Sequence, residues 1–147
     1  EHEAKDIFNI SLNYGYGILY SEIERACIIA GLDPYLGFFH TDRYNKPSMV
    51  FDLIEQFRQA IVDKTIINLF VQRQMNNADL EIFEGKTILT KDGRKKIVEA
   101  IIGKLSSKIK YKNKEISLKD VIQEKIREVA RFILNEQENF EAFVYAF

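Results

Sequence analysis

The sequence has one cysteine, two prolines and no tryptophan among its 147 residues. A single cysteine cannot form an internal disulfide, so Cys27, within the apolar "ACIIA", is expected to pack as a small hydrophobic residue in a reducing compartment. No stretch approaches the roughly 20 apolar residues that cross a bilayer. The first residues lack a basic patch followed by an apolar run, so they do not predict a secretory signal. We expect a soluble, cytoplasmic protein with no membrane partner.

Several motifs of common enzyme classes are also missing. The sequence has no Gly-rich phosphate loop, no CxxC pair and no Ser/His/Asp set. Its two histidines are His2 and His40, and "HTD" is not the adjacent His-Asp pair of metal phosphohydrolases, so no zinc site is predicted. What is present, 46% hydrophobic and 29% charged residues, is typical of a folded helix-rich chain. Its length predicts one domain, spanning residues 1–147.

The net charge of -1 conceals a strong segregation of charge along the chain. Residues 86–119 carry 11 basic and 3 acidic side chains, a net charge of +8, whereas the flanking parts are acidic. Such a block is typical either of a surface that binds a phosphate backbone or of a solvated lysine-rich surface. The candidate DNA contacts in the block are Arg94, Lys95, Lys96, Lys104, Lys108 and Lys110.

The spacing of apolar residues predicts a mainly α fold class, a multi-helix domain with at most a small β-hairpin. Apolar positions recur at helical spacing over residues 6–30, and Gly31 is a suitable stop. Gly15 and Gly17 weaken that helix, so they predict a close approach of another element or a local bend. Ser48 is placed to cap a second helix, which we expect to break near Asp63.

The second half of the chain predicts shorter elements. A hairpin is expected around Glu84 and Gly85, followed by the amphipathic helix "RKKIVEAIIGKL". The stretch "SSKIKYKNKE" is interpreted as a basic linker. Ser117 can cap a last helix, whose apolar stripe includes Val121, Ile122 and Ile126.

A histidine and two acids suggest a metal site by their donor chemistry. His40 lies in a loop, and Asp52 and Glu55, three residues apart on a predicted helix, have neighbouring side chains. Magnesium prefers carboxylate oxygens, and manganese also accepts imidazole. The same residues also fit a loop histidine followed by an amphipathic helix with exposed acids, and spacing alone leaves both interpretations open.

A family resemblance adds to this pattern. Residues 9–58 contain "LNYGYGILYSEIERA", "AGLDPYLGFFHTDR" and "DLIEQFR" in that order, and this run closely resembles the catalytic helical domain of the Cas-one family, the CRISPR-associated integrases. About fifty residues carry the resemblance. It implies a magnesium or manganese site formed by His40, Asp52 and Glu55, with Tyr14 and Arg43 in matching motifs as further candidates for DNA contact.

The resemblance further implies an activity and partners. Family members cut or join DNA by metal-assisted transesterification, in which a 3'-hydroxyl attacks a phosphodiester during spacer integration into CRISPR arrays. They form homodimers that assemble with the small Cas-two protein. They also have an N-terminal β-rich domain and a metal-binding glutamate upstream of "LNYGYG", and Glu1 and Glu3 lie too close to that motif to serve. We therefore expect a C-terminal fragment with an incomplete ligand set.

A second hypothesis belongs to another class of function. The chain is then a non-catalytic helical interaction module with a basic nucleic-acid-binding surface, whose acids only solvate one helix face. This hypothesis predicts neither specific manganese binding nor metal-dependent joining of DNA.

Overall fold

Helices and two short hairpins form the part of the chain that the computed structural model describes, residues 2–32 and 54–133. The mainly α fold class is confirmed. In chain order the elements are α1 (His2–Ile29), α2 (residues 54–71), a single 3₁₀ turn (Asn77–Asp79), β1 (Leu80–Phe83), β2 (Lys86–Leu89), α3 (Lys91–Ser106), β3 (Lys108–Tyr111), β4 (Lys114–Ser117) and α4 (Leu118–Ile133).

α1 is the central helix, and it packs against the three other described helices. It ends at the predicted glycine, because Gly31 adopts a φ of +83°. The Leu32 amide donates to the Cys27 carbonyl at 2.9 Å and the Gly31 amide donates to the Ile28 carbonyl at 3.1 Å. This pair of bonds is a Schellman motif, which satisfies carbonyls that the helix end would leave unpaired.

α2 is continuous where the sequence predicts a break, so that prediction is wrong. An α-helical turn leads into a π-helix, Arg58–Asp63, and the chain then continues as an α-helix, Lys64–Val71. Asp63 itself has helical dihedral angles, φ −56° and ψ −49°. The wider π turn keeps Phe57, Ile61 and Ile66 buried on one side, so the apolar face survives without a break in the helix.

The predicted hairpin is present and its turn chemistry explains it. β1 and β2 pair antiparallel from Leu80↔Leu89 to Phe83↔Lys86. Glu84 and Gly85 form the two-residue turn with φ of +50° and +76°. Two successive positive φ values are those of a type I′ turn, whose twist matches that of the strands.

A second hairpin occupies the stretch interpreted as a basic linker, so that interpretation is wrong. β3 and β4 pair antiparallel through Ile109↔Ile116, and the turn residues Lys112 and Asn113 have φ of +50° and +65°. The alternation that predicts a strand is present, since Ile109 and Tyr111 face inward between exposed lysines. The high lysine content obscured it.

Caps and core positions fix the last two helices. The Thr90 hydroxyl accepts a bond from the Gly93 amide at 3.0 Å at the start of α3, and the predicted Ser117 cap is confirmed, because its hydroxyl accepts a bond from the Asp120 amide at 3.1 Å. Ile122 of α4 and Ile97 of α3 are buried in the same core as Cys27. Among the described helices, none is long and apolar enough to cross a membrane.

Candidate functional site

Glu55 is the one predicted metal ligand that lies within the described residues. His40 and Asp52, together with the DNA-contact candidate Arg43, lie outside them. Among the side chains that the structure describes, those of residues 7–32 and 54–132, no three histidine, cysteine or acidic groups come together as a metal site. The predicted ligand set therefore stays a prediction, and the structure gives the surroundings of Glu55.

The Glu55 carboxylate stands at the surface beside a fixed cation. Its side chain is 53% exposed, and Arg58, three residues later, donates from Nη1 to Oε2 at 3.0 Å. No described residue donates to the other oxygen, Oε1. The carboxylate is thus oriented through one oxygen and has the second available.

Arg58 is held in turn by an aromatic ring of α1. Its guanidinium carbon lies 4.1 Å from the centroid of the Tyr16 ring, a distance typical of a cation–π contact. The Tyr16 hydroxyl donates a hydrogen bond to Asp63 Oδ1. Arg58 and Asp63 are the first and last residues of the π-helix, and the Tyr16 ring and hydroxyl contact both.

The close crossing of α1 and α2 makes this arrangement possible. A Cβ atom added at Gly15 would lie 2.8 Å from Val62 Cγ1, so only a glycine lets the helices approach this closely. The close approach predicted for Gly15 is confirmed, whereas an added Cβ at Gly17 would meet nothing within 4 Å. Gly15 therefore sets the helix separation that brings the neighbouring Tyr16 to Arg58.

The hydroxyl of Tyr16 remains a donor at neutral pH. Burial raises the pKa of Tyr16, and the hydrogen bond to the Asp63 carboxylate raises it further. A phenol that is protonated at pH 7 keeps its O–H directed at the Asp63 carboxyl group. Glu55, Arg58, Tyr16 and Asp63 together form the Glu55 cluster. Arg58 Nε within it and Gln56 Oε1 beside it are buried without a hydrogen-bond partner among the described residues.

Sequence reasoning missed Tyr16, Arg58 and Asp63 as members of this cluster. The available signal was weak: Tyr16 stands in "NYGYG" and Arg58 in "DLIEQFR", both within the motifs that carry the family resemblance. The contact between Tyr16 and Asp63 joins residues 47 positions apart, so no local pattern predicts it.

Several predicted DNA contacts are used within the fold. Tyr14 is half-buried and packs against the core. Arg94 Nη1 donates to the Leu89 carbonyl at 2.7 Å, and Lys96 Nζ donates to both Asp79 oxygens at 2.9 and 3.1 Å. These interactions support the β1–β2 hairpin and leave Arg94 and Lys96 less available to a ligand.

Three of the four remaining candidates are exposed. Lys95 is 72% exposed, with Glu99 at 4.0 Å, and Lys104 is half-buried. Lys108 and Lys110 are exposed on β3, opposite Ser117 and Glu115 of β4. Directly paired residues in an antiparallel sheet share a face, so both lysines lie on the outer face of the β3–β4 hairpin.

Comparisons with known proteins agree on one family. A family model described as "CRISPR associated protein Cas1" matches residues 1–102. A CRISPR-associated endonuclease Cas1 of Archaeoglobus fulgidus is 37% identical over 141 residues, covering 96% of this chain and 41% of that protein. One from Thermus thermophilus is 31% identical over 141 residues, covering 95% and 42%.

Solved structures also match this chain. A casposase bound to integration product matches with a TM-score of 0.78 and 35% identity, over 92% of this chain and 38% of that one. A Cas1 protein from Thermotoga maritima matches with a TM-score of 0.69 and 23% identity, over 88% and 41%, which is a likeness of fold. The chain spans about two-fifths of the length of the relatives it matches.

Proposed function

Because this chain belongs to the family of CRISPR-associated Cas1 proteins, we propose that its protein is a metal-dependent DNA endonuclease and integrase that inserts spacers into CRISPR arrays. One observation carries the proposal: the structural match to a casposase bound to integration product, at 35% identity over 92% of this chain. A second support is the set of relatives named CRISPR-associated endonucleases.

His40, Asp52 and Glu55 are the proposed ligands of a magnesium or manganese ion. Glu55, the described member of this set, fits a hard divalent cation because its carboxylate is half-exposed and Oε1 accepts no bond from a described residue. Such a cation, when bound, would withdraw charge from a phosphoryl oxygen and so favour attack on the phosphodiester by a 3'-hydroxyl.

Arg58 is proposed as a positioning residue for this reaction. Arg58 Nη1 donates a hydrogen bond to Glu55 Oε2 at 3.0 Å, and its guanidinium group stacks on the Tyr16 ring. The Tyr16 hydroxyl in turn donates a hydrogen bond to Asp63. The two helices thereby restrain a carboxylate that would otherwise sample several rotamers on the surface. A restrained ligand costs less conformational entropy to order when substrate and metal bind.

Strand transfer by the complete protein tests the proposal. A DNA end with a 3'-hydroxyl and a CRISPR-array target are incubated in manganese, and the joined strand is measured on a denaturing gel. His40→Ala and Glu55→Ala are each expected to abolish joining, whereas Glu81→Ala, which removes an exposed glutamate on β1, should leave it intact. Unchanged joining in His40→Ala and Glu55→Ala would overturn the assignment.

Partners follow as further parts of the same proposal. Lys108 and Lys110 are proposed to contact DNA phosphates from the outer face of the β3–β4 hairpin, and the protein is proposed to act as a homodimer with a Cas-two partner. The non-catalytic interaction module remains the alternative. It would be favoured if the complete protein bound DNA but neither bound manganese specifically nor joined strands in its presence.

A further inference from the structure

A groove between α1 and α4 lies away from the Glu55 cluster and has no role in the proposed chemistry. Its cavity volume is about 210 Å³, and three cationic side chains line it: Arg25 from α1, and Lys119 and Arg127 from α4. We infer that this groove binds a phosphate group of a DNA strand, at a place separate from the metal site. The inference rests on the proposed function for the identity of its ligand.

The groove is built on fixed parts of the fold. Ala26 and Ile122 in its lining are 4% and 1% exposed, and both belong to the hydrophobic core. Gln123 Nε2 donates to the Ala26 carbonyl at 3.0 Å, which ties the two helices together at the groove. The cationic residues therefore lie on two helices whose separation is fixed by packing and by this hydrogen bond. Ligand binding would need to order only the cationic side chains.

The cationic side chains that line the groove form no hydrogen-bonded ion pair within the described residues. Arg25 is 57% exposed, and its nearest carboxylate, Glu22, is 3.8 Å away, beyond hydrogen-bond distance. No ion pair is found for Lys119 or Arg127 in the described ranges. This distinguishes them from Lys96, which has a carboxylate within 2.9 Å.

The charges of the lining match a single phosphodiester. Two carboxylates, Glu22 and Asp120, also line the groove, so its formal net charge is +1. Asp120 lies in the first turn of α4, where the helix dipole favours a negative charge. Two guanidinium groups can each hold phosphate oxygens in a bidentate manner, and the apolar Ile29, 53% exposed, offers an apolar surface to a sugar beside the phosphate.

The position of the groove separates it from the Glu55 cluster. Arg25 follows Tyr16 by nine residues, which at about 100° and 1.5 Å per residue places it on the opposite side of α1 and roughly 14 Å along the axis. A DNA segment that reaches both regions must therefore pass around α1. The groove would hold DNA that flanks the reacting phosphodiester.

The test compares the two groove arginines, Arg25 on α1 and Arg127 on α4, with a control arginine on α4 in the complete protein. Binding of a fluorescein-labelled duplex is measured by anisotropy at several NaCl concentrations for the wild type, Arg25→Ala, Arg127→Ala and Arg131→Ala. Arg131 is exposed on the same helix but does not line the groove, so it controls for the removal of one positive charge. Arg25→Ala and Arg127→Ala are each expected to reduce the slope of log K against log[NaCl] by about 0.9, the change that follows when the protein neutralises one phosphate fewer.

Each outcome decides the inference. If the salt slopes of Arg25→Ala and Arg127→Ala equal that of Arg131→Ala, and the protein still joins DNA strands, the groove does not bind a DNA phosphate. The inference would then be wrong, and the proposed function would be unaffected. A wild-type protein that binds no DNA would overturn both. Inorganic pyrophosphate binding, measured by calorimetry, supplies the last comparison: if Arg127→Ala weakens it but leaves the DNA slope unchanged, the groove is a site for small anions and the inference about DNA is wrong.

Discussion

Replacing Gly15 by alanine tests the helix crossing on which the Glu55 cluster depends. The added Cβ would lie 2.8 Å from Val62 Cγ1 and 3.7 Å from two atoms of Ile66. Carbon atoms pack at about 3.5–4.0 Å, so the first distance is roughly 0.7 Å too short. Val62 is fully buried and β-branched, and its single preferred rotamer in a helix leaves it little room to turn away.

Two opposing effects set the magnitude. Alanine is favoured over glycine in a helix interior by about 1 kcal/mol, whereas overpacking a core costs about 1–3 kcal/mol. We expect Gly15→Ala to lower the free energy of unfolding by up to about 2 kcal/mol, because the second effect wins. Gly17→Ala, with no atom near its added Cβ, should instead raise the free energy of unfolding by up to about 1 kcal/mol.

Urea unfolding followed by circular dichroism measures both variants. The double variant Gly15→Ala/Val62→Ala removes the clashing methyl groups, so its free energy of unfolding should exceed the value expected from adding the two single effects. Equal stabilisation by Gly15→Ala and Gly17→Ala would refute the close crossing. Additivity in the double variant would show that Val62 is not the side chain that limits the approach.

Three further predictions concern polar groups that are buried or half-buried. Tyr16→Phe should lower the free energy of unfolding by about 1–3 kcal/mol, because Asp63 loses its hydrogen-bond donor. The control Tyr20→Phe, at a side chain that is 44% exposed, should change that free energy little. Equal effects of the two variants in urea unfolding would contradict the Tyr16 hydrogen bond. Burial raises the pKa of Cys27 to about 12, so at pH 8 a thiol reagent should modify it only in unfolded protein, and rapid labelling of the native protein would contradict its burial. Burial tends to raise the pKa of Glu128, but hydrogen bonds from two lysines outweigh that effect and lower it. The ionised Glu128 therefore stabilises the fold above the unfolded-state pKa of about 4.3, and this stabilisation is lost as pH falls through the lower folded-state pKa. Glu128→Gln should flatten the acid side of a curve of unfolding free energy against pH. An unchanged acid side would argue against this linkage.

Local signals explain which parts of the fold the sequence predicts. The stop at Gly31 and the cap at Ser117 depend on residues within a few positions of each helix end, so their chemistry can be read directly. The break predicted near Asp63 is wrong because the polar residue there does not end the helix; its partner, Tyr16, lies on another helix. The sequence predicts an interruption there, but not that a π turn continues the helix through it.

The candidate site is predictable only in part for the same reason. Glu55 is found from donor chemistry and family resemblance, both of which are properties of the linear sequence. Arg58 is three residues away, so its ion pair with Glu55 follows from helical spacing. Its stacking on Tyr16 requires the close crossing at Gly15, which is a property of two packed helices and could only be suspected from a glycine in a helix interior.

The net charge of the basic block overstates the number of its cations that are available on the protein surface. The +8 of residues 86–119 includes Lys96, bound to Asp79, and Lys112, bound to Glu128, and Arg94 donates to a backbone carbonyl. These groups hold the two hairpins to the helices. Lys108 and Lys110 remain on the outer face, while two arginines of the α1–α4 groove come from outside the block. Binding to DNA should therefore follow the arrangement of available cations in space, with a salt dependence smaller than the block's net charge would give.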